Sequence, residues 1–137
     1  MDDRDLELRN LTYRAFVELG RAPAAGELGL DRDDVVAGWR RLHDAHALVL
    51  EPGGDEIRMA NPFSAVPTAY RVQADGRPWF GNCAWDAFGI CAALDVDGRI
   101  EHGDIVVEVR DRQPDDESLV FNCLVPAAHW WDDIVYT

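Results

Sequence analysis

Hydrophobic side chains in the first part of the chain recur every three to four residues, which is the spacing of one face of a helix. Over residues 5–19 the apolar stripe consists of Leu8, Leu11, Ala15 and Leu19, and the aromatic residues Tyr13 and Phe16 flank it. This pattern predicts an amphipathic helix. Glycine and proline at residues 20–23 predict its end.

Two more helices and a hairpin are predicted before residue 60. A short helix is predicted over residues 24–28, and a third helix runs from the N-cap residue Asp31 to about Ala47. Residues 47–51 and 56–60 then flank a Pro-Gly-Gly-Asp turn, which predicts two paired strands. Three helices followed by a hairpin are typical of a winged helix-turn-helix.

Near residue 48 the hydrophobic period shortens to two residues, which predicts strands, and a linker bracketed by Pro62 and Pro67 follows. Strands are predicted at residues 68–73, 99–101, 104–110 and 118–125, and a short helix or turn at 127–134. We therefore predict an α+β fold with a subdomain boundary at residue 60. A winged-helix-like three-helix subdomain, residues 1–60, precedes a mixed β-sheet core with a central helix, residues 61–137.

The central helix is predicted within the apolar segment 81–94, Gly-Asn-Cys-Ala-Trp-Asp-Ala-Phe-Gly-Ile-Cys-Ala-Ala-Leu. If it begins near Cys83, the thiol of Cys83 and the carboxyl of Asp86 share one face, since residues three apart do so on a helix. A helix N-terminus also lowers the pKa of a cysteine and favours the reactive thiolate. We therefore predict that Cys83 is the fastest cysteine to label. Alternatively, Cys83 is a small core residue and Asp86 an ordinary first-turn carboxylate.

Four aromatic residues surround this pair in the sequence, and we predict that they wall a pocket around Cys83. They are Trp79, Phe80, Trp85 and Phe88. A dry apolar lining suits an organic ligand, although the same residues could form an ordinary core.

The chain carries 26 acidic and 13 basic residues, for a net charge of −13. This charge opposes binding to nucleic acid or to an anionic membrane, both of which need clustered positive charge. No apolar run approaches the ~20 residues of a membrane span, and no signal peptide is apparent. We expect a cytoplasmic protein, monomeric or homodimeric, without a nucleic-acid or membrane partner.

The three cysteines, Cys83, Cys91 and Cys123, match neither a disulfide framework nor structural zinc spacing. His43 and His46 are three residues apart, but no third ligand lies nearby in the sequence. No phosphate loop or dinucleotide fingerprint occurs, so we expect no resident cofactor.

Three blocks of sequence, in order, resemble the alkylmercury (organomercurial) lyase family. They are Asn-Pro-Phe-Ser-Ala-Val-Pro-Thr at residues 61–68, the central segment at 81–94, and Trp-Trp-Asp-Asp-Ile-Val-Tyr-Thr at 130–137. The resemblance implies cleavage of a carbon–mercury bond by proton transfer, with mercury as substrate and product. Cys83 and Asp86 match the family's catalytic and mercury-binding residues, and an external thiol would accept the product.

The family's second catalytic cysteine follows the third block, where this sequence ends at Thr137. Cys123 and Cys91 are candidate substitutes, with Cys123 included among the expected mercury ligands. We therefore expect weak or absent turnover with retained mercury binding. Two alternatives remain: a lyase-fold protein that binds a soft metal or thiophilic ligand or does other chemistry there, and a ligand-sensing winged-helix regulator.

Overall fold

The computed structural model describes residues 1–135. Helix α1, Asp3–Leu19, begins at the cap residue Asp2, whose carboxylate accepts a hydrogen bond from the Asp5 amide at 2.8 Å. It ends at Gly20, whose left-handed backbone (φ 71°) suits glycine. Its buried face is rotated from the predicted stripe and carries Leu8, Thr12 and Phe16, whereas Leu19 is exposed. Thr12 can be buried because its hydroxyl donates to the Leu8 carbonyl and accepts from the Trp39 indole.

The second predicted helix is a single 3₁₀ turn, Ala25–Glu27, and the third is helix α2, Arg32–Asp44. Asp31 is its N-cap, as predicted, and accepts hydrogen bonds from the amides of Asp33 and Asp34. The hairpin follows as strands β1, Val49–Leu50, and β2, Ile57–Ala60. The helical and hairpin elements predicted for residues 1–60 are therefore present.

The remaining elements form the rest of one sheet and a helix packed on it. They are β3 (Phe63–Ser64), β4 (Tyr70–Ala74), β5 (Arg77–Gly81), helix α3 (Ala84–Leu94), β6 (Gly98–His102), β7 (Ile105–Arg110), β8 (Gln113–Pro114) and a 3₁₀ helix (Ala127–Asp132). The strand order is β1-β2-β3-β5-β4-β6-β7-β8. In register across four strands, a buried row beneath α3 consists of Trp79, Val72, Ile100 and Val107.

The α+β class is confirmed, but every strand pair within residues 1–135 is antiparallel rather than mixed. Most connections are too short for a parallel crossover. Helix α3 is the long connection, and it carries the chain past β4, so that β6 pairs with β4 and not with β5.

The predicted strand at residues 118–125 is wrong, because this segment makes no ladder in the described chain. After the short β7–β8 hairpin the chain leaves the sheet and crosses α3 instead. There the ring of Phe121 contacts Trp85 at 5.4 Å and Phe88 at 5.6 Å between centroids. The packing of Phe121 on α3 thus outweighs the β-strand propensity of residues 118–125.

The sheet and the hydrophobic core both continue across residue 60. The Phe63 ring stacks on Phe16 of α1 at 5.2 Å and contacts Trp79 of β5 at 5.1 Å between centroids. All three side chains are at most 3% exposed. The predicted division into 1–60 and 61–137 thus falls within one packed core and stays a prediction.

Among the described residues, no helix combines the length and apolar character required to cross a membrane.

Candidate active site

Cys83 occupies the N-cap of α3, directly after the tight junction between β5 and the helix. Gly81 makes this junction possible, because a Cβ there would lie 2.7 Å from the Ala87 amide nitrogen. The small residue therefore lets the helix start against the end of the strand. Asp86 follows in the first turn of the helix, as the sequence predicts.

The thiol of Cys83 is half-buried, and burial raises its pKa above the ordinary value. The amides of Asp86 and Trp85 at the helix N-terminus act in the opposite direction, although Cys83 makes no capping hydrogen bond. The charges of Asp86 and Cys123 raise the pKa further. The predicted lowering of the Cys83 pKa is therefore wrong, because desolvation outweighs the helix N-terminus.

The carboxyl of Asp86 is half-buried, and this burial raises its pKa. A hydrogen bond from Asn82 Nδ2 to Asp86 Oδ2, 3.1 Å long, partly offsets the rise. A carboxyl with a raised pKa holds its proton at higher pH than an exposed one. It is therefore a better proton donor than an exposed aspartate at a pH where the exposed one is ionised.

Three polar residues near Asp86 were not predicted from the sequence: Asn82, Asn61 and Tyr13. Asn82 also donates to Asn61 Oδ1 at 3.0 Å, and the Tyr13 hydroxyl donates to the Asn61 carbonyl oxygen at 2.9 Å. Burial raises the pKa of Tyr13, and the charge of Asp86 contributes to the rise. Asn82 precedes Cys83 in the central segment, but no local signal could link Tyr13 to Asp86 across 73 positions of sequence.

The predicted aromatic wall divides between the core and the surface. Trp79 lies in the core, 3% exposed, with its indole nitrogen donating to the Ala74 carbonyl. Phe80 is half-buried on β5. Trp85 and Phe88 border an apolar groove between α3, β6, β7 and residues 116–122, with a volume of about 1040 Å³.

Neither Cys83 nor Asp86 lines this groove, whereas their neighbours Ala84, Trp85 and Phe88 do. The reason is helical geometry, since residues 85 and 88 lie on a face rotated from that of residues 83 and 86. The groove therefore adjoins the thiol and carboxyl without enclosing them.

The three thiols differ in exposure, because Cys91 is buried, Cys83 is intermediate and Cys123 is exposed. This order changes the expected labelling: Cys123 should react first, Cys83 more slowly and Cys91 last, since burial limits both access and thiolate formation.

Residues 1–135 contain no group of three or more His, Cys, Asp or Glu side chains arranged to hold a metal ion. The predicted set of Cys83, Asp86 and Cys123 therefore does not assemble as a three-donor centre. His43 accepts a hydrogen bond from the Leu50 amide, and His46 stacks on Trp131 at 3.8 Å. Both histidines thus have structural contacts.

The family model for alkylmercury lyase, MerB, matches residues 63–137, and the chain therefore belongs to the alkylmercury lyase family. A solved structure, described as the mercury-bound form of MerB2, has a similar fold, with a TM-score of 0.67 and 21% sequence identity. The alignment covers 85% of this chain and 60% of that one, so the chain spans about three fifths of its length. No curated protein sequence matches the chain.

Proposed function

We propose that this protein cleaves the carbon–mercury bond of a small organomercurial, with Cys83 capturing mercury and Asp86 delivering the proton. One observation carries the proposal within an alkylmercury lyase family member: a half-buried carboxyl with a raised pKa lies three residues from a half-buried thiol on one helical turn. MerB2, whose fold is similar, binds mercury.

The proposed reaction begins when the Cys83 sulfur displaces a ligand from mercury, forms a sulfur–mercury bond and releases its thiol proton. A soft thiolate suits a soft metal ion. Asp86 then transfers a proton to the carbon, which keeps the electron pair of the breaking carbon–mercury bond. The hydrocarbon leaves, Hg(II) stays on sulfur until an external thiol removes it, and solvent returns a proton to Asp86.

The apolar groove beside the first turn of α3 is the proposed position of the organic substituent. Trp85, Phe88 and Phe121 border its end nearest Cys83. Aromatic walls favour contact with an aryl or alkyl group, which supports placing the organic substituent in this groove. Trp79 has no part in this proposal because it belongs to the core.

Hydrolysis of phenylmercury in deuterated buffer tests the function directly. With an external thiol present, the expected product is benzene carrying one deuterium, formed at a low rate, with one Hg(II) released per benzene and no reaction in Cys83→Ser. Mercury bound stoichiometrically without benzene would instead support the alternative of a soft-metal binding protein. Benzene formed equally by Cys83→Ser would reject the proposed role of this thiol.

Cys123 is the proposed second sulfur ligand of the Hg(II) product. The ring of Phe121 packs against Trp85 and Phe88. Cys123 lies two residues after Phe121, on a segment without helix or strand. Its charge affects Cys83, which supports their proximity. Two thiolates bind mercury far more strongly than one.

Thiol labelling with and without one equivalent of Hg(II) tests this ligand. We expect Hg(II) to protect both Cys83 and Cys123, and Cys123→Ser to release mercury to an external thiol at least about tenfold faster, equivalent to about 1.4 kcal/mol. Cys91→Ser is the matched control and should behave as the unsubstituted protein. Protection of Cys83 alone, with unchanged release, would show that Cys123 is not a ligand.

A further inference from the structure

The carboxyl of Asp86 is connected to helix α1 through two asparagines. We propose that Tyr13, Asn61 and Asn82 are positioning residues that hold Asp86 in the orientation needed for proton transfer. The inference rests on the proposed function. It assigns a role in the site to α1, which lies outside the matched family region 63–137.

Asn82 is the centre of this connection. Its Nδ2 donates to Asp86 Oδ2 at 3.1 Å, to Asn61 Oδ1 at 3.0 Å and to the Phe63 carbonyl oxygen at 3.3 Å. Two N–H groups are thus shared among three oxygen acceptors. A flipped amide would turn its own oxygen toward all three, so the surrounding acceptors determine the orientation of the Asn82 side chain.

The side-chain oxygen of Asn82 also indicates that the acceptors around Nδ2 determine the orientation of the amide. Asn82 Oδ1 is buried and accepts no hydrogen bond from the described residues. A buried acceptor without a donor is unfavourable, so other interactions must hold the amide in this orientation. The hydrogen bonds made by Nδ2 therefore outweigh the loss at Oδ1.

The Asn61-Pro62 segment, at the other end of this hydrogen-bonded connection, packs against two helices. On one side, the Tyr13 hydroxyl of α1 donates to the Asn61 carbonyl at 2.9 Å, and Arg9 lies over the Tyr13 ring, 4.7 Å from its centroid. On the other side, α3 packs so closely that a Cβ on Gly89 would lie 3.0 Å from Pro62 Cβ. The Asn61-Pro62 segment therefore lies between α1 and α3.

This arrangement determines the direction of the Asp86 carboxyl. Within residues 1–135, the hydrogen bond from Asn82 is the one side-chain hydrogen bond to that carboxyl. Without it, the side chain can rotate about its own bonds in a half-buried space. Small displacements of a reacting group lower rates strongly, by up to ~10²-fold for about 1 Å.

Kinetics of two substitutions test the inference. Asn82→Ala should lower kcat for phenylmercury by ~10-fold to 10²-fold, with little change in KM and the same mercury stoichiometry. Tyr13→Phe removes one oxygen and should fold normally. It should lower kcat by about 3-fold to 10-fold, the effect of one hydrogen bond. Asn10→Ala, on the exposed side of α1, is the control and should leave kcat unchanged.

A double-substitution cycle separates positioning from a general loss of structure. In an Asp86→Asn background, neither Asn82→Ala nor Tyr13→Phe should lower kcat further, because both act through Asp86. Unchanged kcat in both single variants, beside an inactive Asp86→Asn, would overturn this inference alone. Full activity of Asp86→Asn, or no turnover in the unsubstituted protein, would overturn the proposed function and this inference with it.

Discussion

Asp86→Asn is expected to lower the rate of hydrocarbon release by ~10²–10⁴-fold, the usual contribution of one positioned acid. An amide has nearly the shape of the carboxyl but cannot supply its proton to carbon. Mercury capture should survive, because it depends on the sulfur of Cys83. The measurement is single-turnover release of benzene from phenylmercury, alongside a count of bound mercury.

The matched control for this variant is Asp104→Asn, which makes the same change of charge on an exposed residue of the β6–β7 turn. It should retain the full rate. Equal losses of rate in both variants would mean that the overall negative charge of the protein determines the rate. A proton from Asp86 would then not be required. A full rate in Asp86→Asn would require a different acid.

The pH dependence of turnover should follow the protonation of Asp86. Because burial raises the Asp86 pKa, the acid form persists to higher pH than on an exposed aspartate, and turnover should decline as pH rises through the folded-state value. A raised carboxyl pKa also means that the fold favours the neutral form. Its contribution to stability is therefore present at low pH and is lost as pH rises through the folded-state pKa.

The sequence predicted that α3 begins at Cys83 with Asp86 in its first turn, because the small residues and the apolar run that set this boundary are local. It predicted the capping of α2 for a similarly local reason, since Asp31 needs only the amides of the next turn. Both features depend on neighbours in the chain, which a single sequence displays directly.

Features that depend on distant contacts were mispredicted or missed. The residues at 118–125 have the pattern of a strand, but a strand requires a free sheet edge, and Phe121 packs on α3 instead. Trp79 and Trp85 are close in sequence yet separate into core and surface, since alternation along β5 directs Trp79 inward. The link from Tyr13 to Asn61 spans 48 residues and has no local signature.

Phe63→Ala is expected to destabilise the whole protein by about 3–5 kcal/mol, the usual cost of truncating a buried aromatic residue. The Phe63 ring is 2% exposed and lies between Phe16 of α1 and Trp79 of β5. Its removal leaves a cavity where the predicted N-terminal subdomain meets the sheet. Since native domains have only about 5–15 kcal/mol of stability, this is a large fraction.

Denaturant unfolding, followed by far-UV circular dichroism for the helices and by tryptophan fluorescence for the core, measures the effect. We expect both signals to shift together to lower denaturant in Phe63→Ala, because residues 1–60 and the sheet share one core. Phe80→Ala, at the half-buried neighbour of Trp79, is the control and should cost less. Two separate transitions in the unsubstituted protein would instead show that the parts before and after residue 60 fold independently. Phe63 would then contribute to the stability of only one of these two parts.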